Sequence, residues 1–262
     1  VALLENDNYQ EPNNVPVAHD QSYTVDEDNE VAGSLSGSDV DEDELSYMVS
    51  QPPMHGEIII NGALENKEIF LSTYICHPSL ANNEVSGPSV VAFLAKWLVQ
   101  RADSLKFTYR IVFVPETIGA IAYLHYNEAE MKAIEGGFVV TTCGGPGPFG
   151  YKESYLGDHL VDRAIRYAFK NHELEPLHYP FRPDGSDERQ YCSPNVDLPM
   201  VSIMRSKYGK YPEYHTSLDN LSFISSKGLF ESFSVIKKTL EILEINKVYK
   251  NIYKFPCEPK LS

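Results

Sequence analysis

From Lys67 onward the chain alternates two hydrophobic periodicities, and that alternation constrains its fold more than any other feature. Ile69-Phe-Leu-Ser-Thr-Tyr-Ile-Cys is a near-continuous apolar and β-branched run, the pattern of a strand buried on both faces. After a loop, Val90, Phe93, Leu94, Trp97 and Leu98 recur at i, i+3, i+4, i+7 and i+8, which is one face of a helix. The same reading predicts strands at Phe107–Val114, Phe138–Cys143 and Leu198–Met204, and helices at Ile118–Tyr126 and Leu160–Asn171. Phe230, Phe233, Ile236, Leu240 and Leu243 mark a long C-terminal helix. Strands alternating with helices predict an α/β domain with a mostly parallel sheet flanked by helices.

The first quarter of the chain has a different texture. Residues 1–62 hold 14 of the 37 acidic residues and none of the 22 basic ones, and such a step in charge marks a boundary. It argues against nucleic acid as a partner of this piece, because phosphate contacts need Lys and Arg. No apolar run approaches the roughly 20 residues of a membrane span. The chain opens at Val1 without a basic, apolar leader, so no signal peptide is expected. Residues 1–14 read as linker. Ser22–Val25 and Leu45–Val49 are strand candidates, and Gln51-Pro-Pro-Met-His-Gly is a turn leading to Glu57–Ile60. Between them Asp39, Asp41 and Asp43 alternate, a density of hard oxygen ligands that suits calcium; a solvated turn fits them equally well. The four cysteines lack a pair spacing and read as free thiols.

In a parallel sheet, function gathers beyond the C-terminal strand ends. His77 ends the first strand of the α/β region, Glu116 follows the second by two residues, Asp187 precedes the fourth, and His215 follows it. Two histidines and acids at such an edge suit a zinc site with a position left open for water. Glu116 is the candidate general base. Asp219, four residues after His215, is the candidate partner for its second ring nitrogen. Cysteine nucleophiles are the rival chemistry. Cys76 and His77 are neighbours on a strand, which predicts opposite faces; Cys192 with His215 has no motif behind it.

Two stretches carry resemblances. "NNVPVAHDQSYTVDED…GSLSGSDVDEDELSYMVSQPPMHGEI", residues 13 to about 60, resembles the first half of a bacterial cadherin-like β-sandwich repeat, which implies an extracellular setting and calcium. "STYICHPSLANNEVSGPSVVAFLAKWL", "FVPETIGAIAYL", "GPGPFGYKES", "DGSDERQYCSPNVDLPM" and "GKYPEYHTSLDN" resemble, in order over about residues 57–255, the aminopeptidase-like domain of bacterial polysaccharide-biosynthesis-associated proteins, similar in fold to zinc aminopeptidases and glutaminyl cyclases. That resemblance implies a zinc-dependent hydrolase of peptide or amide bonds, with a small peptide or aminated-sugar substrate and a cytoplasmic setting. It makes His77 and His215 metal ligands and Glu116 the base. The family's second motif acid falls on Thr117, its bridging carboxylate falls on Asn82 and Asn83 with Glu84 beside them, and its further Asp falls near Cys143–Gly145, where no acid stands. The expectation is therefore one zinc at most, held by His77 and His215 with Glu84, Glu116 or Asp187. The alternative is a binding or surface module that keeps the fold without catalysis. The expected organisation is linker 1–14, partial β segment 15–62, α/β domain 63–255 and tail 256–262.

Overall fold

The computed structural model describes residues 17–18, 37–38, 56–64, 67–77 and 79–247. The chain forms two compact units, Val1–Ser50 and Gln51–Ser262. In the first, β1 (Val17–Ala18) pairs antiparallel with β2 (Gly37–Ser38). The cadherin-like reading, the strand candidates at 22–25 and 45–49, and Asp39, Asp41 and Asp43 lie outside the described residues, as do the linker 1–14 and the tail 256–262.

The second unit is a seven-stranded mixed sheet flanked by helices. Its strands are β3 (Gly56–Ile60), β4 (Glu68–Tyr74), β5 (Thr108–Val114), β6 (Ile134–Val140), β7 (Gly150–Lys152), β8 (Leu177–Tyr179) and β9 (Met200–Met204), in the order β3-β5-β4-β6-β9-β7-β8. The central strands β5, β4, β6 and β9 run parallel. β3 and β7 join them antiparallel, and β8 runs parallel to β7. The helices are α1 (Ser86–Val99), α2 (Ile118–Tyr126), α3 (Leu160–Asn171), α4 (Glu188–Tyr191) and α5 (Ser226–Ile245). Among the described residues no helix is long and apolar enough to cross a membrane.

Glu57–Ile60, assigned from sequence to the N-terminal β segment, belongs to this sheet. β3 keeps register with β5 over five residue pairs. Arg110 on β5 is nearly buried and is held between Glu57 on β3 and Glu68 on β4. Leaving one of these charges inside without its partner would be strongly unfavourable, so the pairings fix β3 in place.

Alternation along the strands divides the core. Ile69 and Leu71 of β4, Tyr109, Ile111 and Phe113 of β5, and Phe138 and Val140 of β6 pack with α1, α3 and α5. Phe70, Val112 and Val139 face the other way and pack with Ala120 of α2 and Tyr191 of α4. The chain leaves β4 through α1 for β5 on one side, then crosses through α2 to β6 on the other. Right-handed crossovers in opposite directions place the two helices on opposite faces. The reversal makes β4 the topological switch point, the place in such sheets where ligands bind beyond the C-terminal strand ends.

The helical stripes differ from the sequence reading at two positions. Phe93 on α1 and Phe230 on α5 are 64% and 67% exposed. The sheet-facing stripe of α1 is Val90, Val91, Leu94 and Leu98, and Phe93 falls beside it. The two rings instead border a surface groove with Val90, Leu229 and Phe233. At the start of α1, Gly87 permits close contact with the sheet, because a Cβ there would sit 2.5 Å from the Val140 carbonyl oxygen and 2.6 Å from Thr73 Oγ1. That contact fixes the segment just before α1, which carries Glu84.

Candidate metal centre

β4 ends at Tyr74, after which Ile75 makes one more sheet-like bond to the Val114 carbonyl. Cys76 and His77 lie beyond it in a turn closed by the Leu80 N–H donating to the His77 carbonyl, 3.0 Å. Strand alternation does not govern them there. Their side chains meet, with Cys76 Sγ 3.2 Å from His77 Nδ1. The expectation that the two point to opposite faces is corrected for this reason.

Both converge on Glu84. A single π-type turn, Ala81–Val85, precedes α1, and it buries Asn82, Asn83 and Glu84 at the sheet edge. Glu84 Oε1 lies 2.8 Å from His77 Nδ1 and 3.5 Å from Cys76 Sγ, while Oε2 accepts the Cys76 N–H at 2.7 Å. Among the described residues, Cys76, His77 and Glu84 form the group of three acidic, histidine or cysteine side chains whose ligand atoms all lie within 4.8 Å of one another. Nitrogen, sulfur and carboxylate oxygen are the donors zinc takes, so this set fits the metal.

The two asparagines support the carboxylate. Asn82 Oδ1 accepts from the N–H groups of Gly144 and Gly145, 2.9 and 2.8 Å, and Asn83 Nδ2 donates to Glu84 Oε1, 2.9 Å. Asp219 has a different partner from the one expected. Its carboxylate accepts the backbone N–H groups of Asn82 and Asn83, 2.6 and 3.0 Å. It therefore pins the π turn and makes no hydrogen bond with His215. A carboxylate is well matched to two adjacent N–H groups left free at a helical start.

His215 is exposed and has φ +57°, a left-handed conformation uncommon outside glycine and enriched at functional sites. Its ring stacks on Tyr214, with centroids 3.9 Å apart, and lies 4.8 Å from the His77 ring. Glu116 follows β5 and is half-buried. Burial raises the proton affinity of its carboxyl, and Glu84 and Glu188 add to the effect. The structure thus brings His77, His215, Glu84 and Glu116 to one edge of the sheet.

Asp187 stands apart from the Cys76, His77 and Glu84 group. It is buried, and Oδ1 accepts the Thr117 N–H at 2.7 Å. Thr117 has φ +65°, costly for a β-branched residue, and Arg189 holds its hydroxyl at 2.7 Å. These two bonds hold the turn that follows Glu116. Burial pushes the Asp187 carboxyl up from 3.8 to about 7, with Glu116 and Glu188 adding to it. Its proton is held more tightly in the folded chain than in the unfolded one. It therefore contributes stability that is fully present below about pH 4 and is lost as pH rises through about 7. Asp187→Asn keeps an oxygen for the Thr117 N–H, so the fall in stability between those limits is expected to flatten. Urea midpoints measured across that range check it, and an unchanged slope would refute the assignment.

The thiols are poor free nucleophiles. Burial pushes Cys76, Cys143 and Cys192 each up to about 12, and the Glu84 carboxylate adds to the rise at Cys76. Cys192 packs between α4 and β9 with Sγ on the Leu198 carbonyl, 3.2 Å, away from His215. Tyr151 and Tyr191 are buried in the core.

The seven-stranded α/β sheet gathers ligand-type side chains at the C-terminal end of its central strand. By sequence the chain belongs to the family described as "Domain of unknown function (DUF4910)", matched over residues 38–246. It is 40% identical over 208 residues to a Clostridium acetobutylicum protein provisionally named a polysaccharide biosynthesis protein with an aminopeptidase-like domain, covering 79% of this chain and 47% of that one. A crystal structure from Clostridium acetobutylicum, provisionally described as a peptidase, superposes with TM-score 0.73 at 40% identity over 79% of this chain and 48% of the other. The chain thus spans about half the length of these relatives. The fold is shared with a zinc aminopeptidase of Bacillus subtilis, TM-score 0.60 at 17% identity, covering 71% and 49% of the two chains. It is shared as well with a glutaminyl cyclase of Porphyromonas gingivalis, TM-score 0.56 at 15% identity, covering 68% and 72%.

Proposed function

We propose that this chain is a hydrolase of peptide or amide bonds that works with one zinc ion, held by His77 and Glu84 and completed by His215. The observation that carries the reading is the meeting of His77 Nδ1 and the buried Glu84 carboxylate, 2.8 Å apart, beside the His215 ring. A zinc ion there would supply a Lewis acid and lower the pKa of water to about 7. Glu116 is the base: its carboxylate takes the proton of the attacking water and passes it to the leaving amine. Its raised proton affinity suits both transfers. Asp187 and Arg189 act on this base indirectly, by holding Thr117 next to it. A second zinc has no anionic bridge at Asn82 and Asn83, since both are neutral amides. The relatives' names support a peptide substrate.

The same replacement of acids by Asn82, Asn83 and Thr117 favours a second reading, a binding module that has kept the fold and lost the metal. Metal analysis of the purified chain separates the two. The first reading expects one zinc per chain, lost in His77→Ala, and a stability gain of about 2.7 kcal/mol at a hundredfold excess of zinc over Kd. A chain with no bound zinc and no response to added zinc refutes it.

A further inference from the structure

The zinc reading leaves one side chain at the centre unused. Cys76 Sγ stands 3.2 Å from His77 Nδ1 and 3.5 Å from Glu84 Oε1. With bond lengths of about 2.3 Å to sulfur and 2.0–2.1 Å to nitrogen or oxygen, a tetrahedral zinc site has ligand-to-ligand edges of roughly 3.3–3.6 Å. The three observed edges, the shortest being 2.8 Å, come within about half an ångström of that triangle.

The sulfur sits at the sheet edge with the other two ligand atoms. It is not a core thiol, because the chain has left β4 and the Cys76 N–H is itself bound to Glu84, 2.7 Å. The Asn82 oxygen is taken by Gly144 and Gly145, and the Asn83 amide nitrogen donates to Glu84; the Asn83 oxygen is buried without a partner, and as a neutral amide oxygen it brings no charge to a bound dication. Glu84 alone would leave a dication at His77 with one positive charge uncompensated in a half-buried turn. A thiolate and a carboxylate beside a neutral imidazole balance it.

We propose that Cys76 is a metal ligand, giving a single-ion centre of sulfur, nitrogen and oxygen that selects zinc-like metals over magnesium and calcium. The proposal rests on the zinc reading and deepens it. The S–H bond breaks as the sulfur–metal bond forms, and the proton passes to the buffer.

The test is a titration of the full, metal-free chain with cobalt(II). One equivalent is expected to bind, with a near-ultraviolet sulfur-to-cobalt charge-transfer band and release of a proton. Cys76→Ser and Cys76→Ala are expected to abolish the band and weaken binding at least about tenfold, since losing a ligand costs no less than losing a partner that supports one. Cys257→Ser should keep the band, and excess magnesium or calcium should not displace cobalt. One equivalent bound without the band, and bound equally well by Cys76→Ser, overturns the thiolate ligand while leaving the one-metal reading intact. Failure of both cobalt and zinc to bind overturns the two together. The band is read on the unaltered chain, so the result does not depend on how the variants fold.

Discussion

Glu116→Gln is expected to leave zinc binding unchanged and to lower kcat by about 10²–10⁴-fold. The substitution keeps size and hydrogen-bonding capacity but removes the site that accepts a proton. Glu116 faces the edge where His77 and Glu84 meet, and it is half-buried there. Burial, Glu84 and Glu188 all raise its proton affinity, which places its titration closer to the working range of a general base. The acid limb of the pH–rate profile should therefore belong to Glu116 and vanish in the variant. Comparing zinc content, kcat and the pH profile separates this role from a structural one. Loss of metal would mean that Glu116 is a ligand, and full activity would remove it from the mechanism.

Lys152→Met is expected to destabilise the fold by about 3–5 kcal/mol, the usual cost of stranding one partner of a buried ion pair. Lys152 on β7 and Glu188 on α4 are 1% and 0% exposed, with Nζ 2.9 Å from Oε1. Lys152 also bonds Asp184. Glu188 accepts from Ser202 of β9 at 2.8 Å and from Tyr208 at 2.9 Å. Three segments thus converge on one buried carboxylate. With the ammonium gone, two neutral hydroxyls remain to stabilise a full charge in the interior. The double variant Lys152→Met, Glu188→Leu removes both charges and is expected to regain part of the loss. Urea denaturation of the single and double variants decides it, and a single-variant loss below about 1 kcal/mol would show that the pair is not coupled to folding. The effect should reach the site as well, because Asp187, next to Glu188, holds the turn after Glu116.

Much of the domain was legible in the residue pattern. The run at Ile69–Cys76 is continuous because β4 is buried on both faces. α2 and α3 were read to their boundaries, and the start of α3 is written in local chemistry: Asp162 of α3 caps its own helix by accepting the His159 N–H, 2.9 Å. The short elements were not legible. β7 and β8 have three residues each and α4 has four, too few to express a period. They are held by long-range partners such as the Lys152–Glu188 pair. Phe93 and Phe230 match a helical period yet face outward, since periodicity identifies a helix but not the width of the stripe its neighbours cover.

The candidate site divides in the same way. The sequence reading put His77, Glu116 and His215 at one edge because parallel sheets bring loops to the C-terminal strand ends, and chain order places those residues there. Which side chains meet at the candidate metal centre depends on the tertiary structure. Cys76 joins His77 because β4 stops two residues earlier, so alternation no longer separates them. Glu84 reaches both because Asp219, 135 positions away along the chain from Glu84 by the numbering, pins the π turn through the Asn82 and Asn83 N–H groups. Asp219 was read as a partner of His215 because the two are four residues apart; in the fold its carboxylate meets two backbone donors that no local pattern reveals. Sequence determined the sheet, its polarity and the edge where chemistry gathers, because these follow from periodicity and handedness. Which side chains meet at that edge depended on where a strand ends and which distant carboxylate satisfies a turn, and both are settled by packing.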